Sequence, residues 1–205
     1  MKRFIINNTS DDVVEIYLLD VIGNYPYTSK EVITAIKESG KNSVRLYINS
    51  PGGDVFEGLG IYNYLIASGK KVTVEIQGLC ASIASVIAMA GRKIRMSKNS
   101  LFMIHNPTTF AYGEEKDLQK SSELLKVVKD QLISIYMTKT GITADKITDM
   151  MDSQTWLNAD KAKEMGFIDE VIEAQKVAAY FNPKEYYPDL QGFIDAKEQI
   201  GRAHV

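Results

Sequence analysis

The sequence predicts an α/β domain with a mainly parallel sheet, and three observations carry that expectation. Runs of alternating or β-branched residues at 13–23, 43–50 and 71–77 are each followed by a stretch of small residues or of helical periodicity. Two of these runs end in Pro51-Gly52-Gly53 and Gly78-Leu79-Cys80-Ala81-Ser82, small-residue stretches that let a strand turn tightly into a helix. At 205 residues, with 45% apolar and 24% charged content, the chain is long enough to give one such domain a sizeable core.

The elements follow in order. VVEIYLLDVIG at 13–23 reads as a strand. Residues 28–39 read as a helix, with Thr28 or Ser29 as N-cap and Val32, Ile33 and Ile36 on one face. In Ser43–Ser50, Val44, Leu46 and Ile48 alternate with Arg45, Tyr47 and Asn49 until Pro51-Gly52-Gly53 breaks the strand. Asp54 then opens a helix to about Ser68, with Glu57 placed for a capping box. The next strand, 71–77, alternates Val72, Val74 and Ile76 and leads into GLCASIASVIAMAG at 78–91, an apolar helix of small residues with Ser82 in its first turn. Short strands are expected at 93–97 and 101–105. A long helix is expected at 113–139, where Leu118, Leu125, Val128, Leu132 and Ile135 recur at helical spacing. Helices at 143–151 and 159–165 and a strand at 167–173 complete a domain spanning 1–174. Beyond Gln175 the pattern weakens, and YFNPKEYYPDLQGF marks residues 175–205 as an appended arm. The terminal IGRAHV reads as a translated sequencing adapter, so residues 199–205 are expected to be non-native.

Composition excludes several functions. A net charge of -2 with scattered Lys and Arg gives no footprint for nucleic acid or for an anionic membrane surface. The single Cys80 cannot form an internal disulfide. The opening MKRFIINNTSDD turns polar before a signal-peptide core could form, and the apolar stretch at 78–91 is too short to span a membrane. A cytoplasmic location is therefore expected.

Histidine supply narrows the chemistry. A nucleophilic Ser82 needs a base near neutral pH. Of the two histidines, His204 lies in the doubtful tail, which leaves His105, at the end of the apolar run LFMIH. One usable histidine, with no HExxH and no paired cysteines, argues against a metal site. Acyl transfer also needs N–H donors aimed at the developing oxyanion. Gly52 and Gly53 can present such donors without Cβ obstruction, and the N–H of Ile83, which follows the serine, is the second expected donor. Cys80 lies two residues off the elbow position and reads as a small buried residue.

INSPGG, GLCASIAS and MIHNP, in this order and spacing, resemble the Clp protease proteolytic subunit (ClpP) family of self-compartmentalising serine peptidases. The resemblance runs from about Val13 to Ile172. It implies that Ser82 is the nucleophile, His105 the base, and Gly53 and Ile83 the oxyanion donors. It also implies a crotonase-like spiral of β-β-α units with a protruding handle helix, here 113–139, that packs ring on ring. The expected activity is peptide-bond cleavage in a homo-oligomeric ring without a bound cofactor, on peptide or protein substrates. A separate ATPase unfoldase, or capsid proteins, would be its partners. One departure stands out. The family's aspartate precedes an aromatic-Leu-Ser/Thr-Ala segment by two residues, and that slot, before Trp156-Leu157-Asn158-Ala159, holds Gln154. Asp152 is the expected third member if the loop is displaced, with Gln154 as the alternative. Gln154, the Thr155-Trp156 pair and the late aromatic arm bring the chain nearer to phage-type ClpP-like proteases that mature capsids. The competing readings are a catalytically impaired assembly or scaffold subunit and a crotonase-type acyl-CoA enzyme.

Overall fold

The computed structural model describes residues 7–10 and 12–173. The elements run β1 (Asn7–Ser10), β2 (Val13–Leu18), α1 (Ser29–Glu38), β3 (Ser43–Ser50), α2 (Val55–Ala67), β4 (Lys71–Ala81), α3 (Ile83–Ala88), β5 (Lys93–Ser97), β6 (Leu101–Ile104), α4 (Glu115–Thr140), α5 (Ala144–Asp152), β7 (Thr155–Asn158), α6 (Ala159–Glu164) and β8 (Glu170–Ile172). The expected arm at 175–205, its suspected terminal segment and His204 lie outside the described residues.

The expected α/β architecture is the one found. The path β1-β2-β3-β4-β5-β8 is parallel from β2 onward, with β1 antiparallel at the edge. In β2, β3 and β4 the alternating apolar residues fall in rows: Val14–Val44–Val72, Ile16–Leu46–Val74 and Leu18–Ile48–Ile76. All of these are buried. One face of each strand goes into the core, which is why period-two alternation was so clear in the sequence. The opposite face is polar. Glu75 accepts from Arg95 at 2.9 Å, Glu15 accepts from Arg45 and from the Tyr47 hydroxyl, and the Tyr17 and Tyr47 rings stack at 4.5 Å.

β4 is the strand that builds the site. Residues Thr73 to Ile76 pair with β5, while Leu79 to Ala81 pair with β6. Between these halves the register against β3 slips: Ile48 faces Ile76, but Ser50 faces Cys80. The Asn49 side chain fills the irregularity by accepting the Leu79 N–H at 2.8 Å. A Cβ at Gly78 would lie 2.4 Å from that same oxygen.

The expectation of a helix beginning at 78 is thereby corrected. With β6 alongside, residues 78–81 are strand, and α3 begins only at Ile83. Ser82 is the hinge between the two, not part of the first helical turn. β1 and β7 were not anticipated, and β2 ends at Leu18, short of Gly23. The final strand is shorter than expected because Phe167 and Ile168 turn into the core ahead of it.

α4 opens with a capping box between Glu114 and Asp117 and closes at Gly141, whose φ of 73° suits glycine. None of residues 115–127 is buried, whereas Val128, Leu132, Ile133 and Tyr136 pack into the core. Among the described residues no helix is long and apolar enough to cross a membrane.

α3 is buried along its whole length, and α2 approaches it through Gly58. A Cβ there would meet Ile83 Cγ1 at 2.1 Å. In an open helix, Gly→Ala gains about 1 kcal/mol. Overpacking a close contact costs about 1–3 kcal/mol, so at this position the clash wins. Gly58→Ala should therefore lower the melting temperature by a few degrees. Gly60→Ala, whose new Cβ would stand 3.1 Å from Ser29 Cβ, should cost less. Thermal denaturation of the two variants side by side checks the order.

Candidate active site

Ser82 has φ 55° and ψ -132°, a conformation that a side-chain-bearing residue adopts only where its surroundings fix it. Its N–H donates to Met103 O on β6 at 3.0 Å, and its carbonyl accepts from the Ser85 N–H at 3.0 Å. This sharp turn puts the hydroxyl at the sheet's end, above Gly52. A Cβ on Gly52 would lie 2.6 Å from Ser82 Cβ and 3.1 Å from its Oγ, so only glycine fits beneath the serine.

His105 follows β6 directly, and its Nε2 lies 2.8 Å from Ser82 Oγ. The parallel pairing of β4 with β6 fixes that meeting, because it sets Ala81 opposite Met103. The imidazole is half-buried, and burial pushes its pKa below the ordinary 6.5, which keeps it neutral and able to accept a proton. A hydroxyl and a neutral imidazole at this distance can exchange a proton without further movement.

The Pro51-Gly52-Gly53 turn is anchored to Ile22, four residues beyond the end of β2. Ile22 N–H donates to Gly52 O at 2.7 Å, and Asp54 N–H donates to Ile22 O at 2.9 Å. This bridge uses the groups flanking Gly53, so the N–H of Gly53 itself is directed to the other side. A Cβ on Gly53, whose φ is 144°, would meet Ile22 O at 2.1 Å. Asp54 caps α2 by accepting from the Phe56 and Glu57 N–H groups. The resulting cleft has a volume of about 380 Å³, and Gly52, Gly53, Phe56, Ser82, Ile83, His105, Leu132 and Tyr136 are among its lining residues. Ile83, the expected second donor, is the first residue of α3.

The structure brings Asp152 to the neighbour of His105. Its Oδ1 accepts from Asn106 Nδ2 at 2.8 Å and from Lys129 Nζ at 2.5 Å. The bond from Lys129, then that from Asn106, holds the carboxyl below the usual carboxylate range. Gln154 approaches by another route. β6 and β7 are antiparallel with Ile104 opposite Thr155, so His105 follows the end of one strand and Gln154 precedes the start of the other. There the backbone leaves the strand with φ 46°, and the Gln154 N–H donates to Met151 O at 3.1 Å. Cys80 points into the core and is fully buried, and desolvation pushes its thiol pKa well up, which opposes thiolate formation.

Sequence reasoning missed Asn106, Lys129 and Tyr136. Asn106 had a signal in its place beside His105. Lys129 and Tyr136 lay within a helix read for its apolar stripe alone.

A sequence model described as Clp protease matches residues 27–175. ATP-dependent Clp protease proteolytic subunits from two strains of Bacteroides fragilis are each 37% identical over 137 residues, covering 66% of this chain and 66% or 62% of the relative. The subunit from Bacteroides thetaiotaomicron is 35% identical over 137 residues, again covering 66% of this chain and 62% of the relative. The chain thus spans just under two thirds of the length of the relatives it matches. With most of the described fold inside the matched region, the chain belongs to the Clp protease family.

Proposed function

We propose that the chain is a serine endopeptidase acting through an acyl-enzyme. The observation that carries this reading is the 2.8 Å approach of His105 Nε2 to Ser82 Oγ at the mouth of a glycine-floored cleft. In the proposed cycle, Ser82 Oγ attacks the peptide carbonyl carbon while His105 Nε2 accepts its proton. The carbonyl oxygen becomes an oxyanion facing the N–H groups of Gly53 and Ile83. As the C–N bond breaks, His105 returns the proton to the leaving amine. Water, deprotonated by the same imidazole, then hydrolyses the ester.

Asp152 is proposed as the third member; its carboxylate accepts from Asn106, the residue next to His105, and would act on the imidazolium as a nearby negative charge. Gln154 is the alternative. An amide can orient an imidazole but brings no charge, and in a well-studied triad replacing the aspartate by its amide lowers turnover about ten-thousandfold. This gives some support to the second reading, an assembly subunit with impaired activity. A crotonase-type reading has no use for the Ser82–His105 pair. The relatives are named ATP-dependent, and no GxxxxGK[ST] loop occurs in this sequence, so any ATP requirement is assigned to a separate ATPase. Capsid proteins as the substrate, in phage maturation, are a narrower proposal that rests on Gln154 and the Thr155-Trp156 segment.

A fluorophosphonate probe should label the wild-type chain at Ser82, and Ser82→Ala should lose both labelling and peptide hydrolysis while keeping its fold. Turnover retained by Ser82→Ala would refute the assignment.

The acid limb of kcat/KM should lie below pH 6.5, because burial depresses the His105 pKa and activity requires its neutral form. Removing the carboxylate with Asp152→Asn should destabilise the imidazolium, move the limb to still lower pH and reduce kcat. Gln154→Ala should leave both near wild type. The reverse order, read from full pH profiles, would make Gln154 the orienting group.

A homo-oligomeric ring is proposed to form through the exposed part of α4. There Leu118, Leu124 and Val127 are 46%, 52% and 59% exposed, an apolar surface without a covering element in the chain as described. Light scattering at micromolar concentration should show a multimer, and Leu124→Glu combined with Val127→Glu should dissociate it. A stable wild-type monomer would count against the ring.

A further inference from the structure

We propose that Ser85 and Tyr136 are positioning residues that lock the Ser82–Ile83 peptide with its N–H facing the oxyanion. The inference rests on the serine-peptidase reading above and adds two side chains to it.

The Ser85 hydroxyl donates to the Ser82 carbonyl at 2.5 Å and lies 2.7 Å from the Tyr136 hydroxyl. A serine hydroxyl has one proton to give. With that proton on the Ser82 carbonyl, the Ser85 oxygen accepts from Tyr136, and the chain runs from Tyr136 O–H to Ser85 O–H to the Ser82 carbonyl. Ser85 is fully buried and Tyr136 is 1% exposed, so water does not compete for these bonds. The Tyr136 ring is itself held edge-on by Phe167 at 5.9 Å.

The carbonyl that receives this chain belongs to the same peptide unit as the Ile83 N–H, the proposed oxyanion donor. A peptide group is planar, so fixing the carbonyl fixes the N–H pointing the opposite way. Hydrogen bonding at the oxygen also polarises the N–H and strengthens it as a donor. The need for a lock follows from the backbone. Ser82 is held at φ 55° and ψ -132°, outside the left-handed helical well, and rotating this peptide would carry ψ into that well while withdrawing the donor. The Ser85 N–H also reaches the Ser82 carbonyl, at 3.0 Å, but that bond belongs to the first turn of a short helix. The hydroxyl chain is what ties the peptide to α4.

Tyr136→Phe and Ser85→Ala remove the chain while keeping side-chain size nearly constant. In the full-length protein, with active sites counted by the fluorophosphonate probe, both should lower kcat about tenfold or more with KM within twofold. That is less than the roughly 10²–10³ lost on removing an oxyanion donor outright. A peptide aldehyde, whose adduct places an oxyanion in the same position, should weaken by the same factor as kcat. The Ile83 amide proton should shift upfield in both variants. Wild-type kcat per titrated site, or an unmoved Ile83 amide, would overturn the proposal and leave the pair as a packing contact. The two readings fail separately. If Ser82→Ala retains turnover the peptidase assignment falls, whereas the Ile83 resonance tests the lock without reference to turnover.

Discussion

The backbone of Ser82 is the constraint around which the rest is arranged. A non-glycine residue in its conformation costs on the order of 1–3 kcal/mol and persists only where neighbours outweigh that cost. Three sets of neighbours do so here. β6 accepts the Ser82 N–H, α3 returns an N–H and a hydroxyl to its carbonyl, and Gly52 leaves room beneath its side chain. Each depends on β4 continuing as a strand up to Ala81, and therefore on the slipped register that lets β4 exchange β5 for β6 as its neighbour. The geometry of the Ser82–His105 pair is thus a consequence of sheet topology, and the strain is localised at the residue whose hydroxyl faces the cleft.

Much of this was legible in the sequence because the physical demands there are local. The rows of Val, Leu and Ile in β2, β3 and β4 alternate since one face is dry and the other holds Glu15, Arg45, Glu75 and Arg95. Pro51-Gly52-Gly53 and the small residues before Ser82 stood out since no Cβ fits at Gly52, Gly53 or Gly78. What stayed illegible was decided by distant partners. Residues 78–81 have a composition that suits helix or strand equally, and pairing with β6 and with the end of β3 settles the matter. Gln154 could be assigned to the third slot by motif, but its place at the end of the β6–β7 pair depends on β7, a four-residue strand too short to show a period. The Ser85–Tyr136 bond joins residues 51 apart in two helices, and each looked like ordinary core.

α4 serves the site and the surface with different parts of one helix. Its buried end gives Leu132 and Tyr136 to the cleft, and Lys139 reaches back to donate to Gly91 O at 2.8 Å. Lys129, near the point where burial begins, holds Asp152 beside Asn106. The exposed first half contributes none of this, and Leu118, Leu124 and Val127 stand largely open to solvent there. A helix is stiff over this length, so whatever seats the outer half also constrains the orientation of the inner half.

The cleft lining is of two unlike kinds, and the difference bears on how the site can diverge. On one side Gly52 and Gly53 press so closely on Ser82 and Ile22 that any side chain would collide with backbone or with the serine. That wall is closed to substitution, and with it the depth of the floor. The exposed part of the lining includes Phe56, which is 59% exposed, and Thr108 and Thr109 on the exposed loop after His105. Nothing in the packing restricts residue size at those positions. Mutation can therefore reshape the cleft from the loop and from Phe56 at little cost to folding, while the glycine floor beneath Ser82 stays fixed.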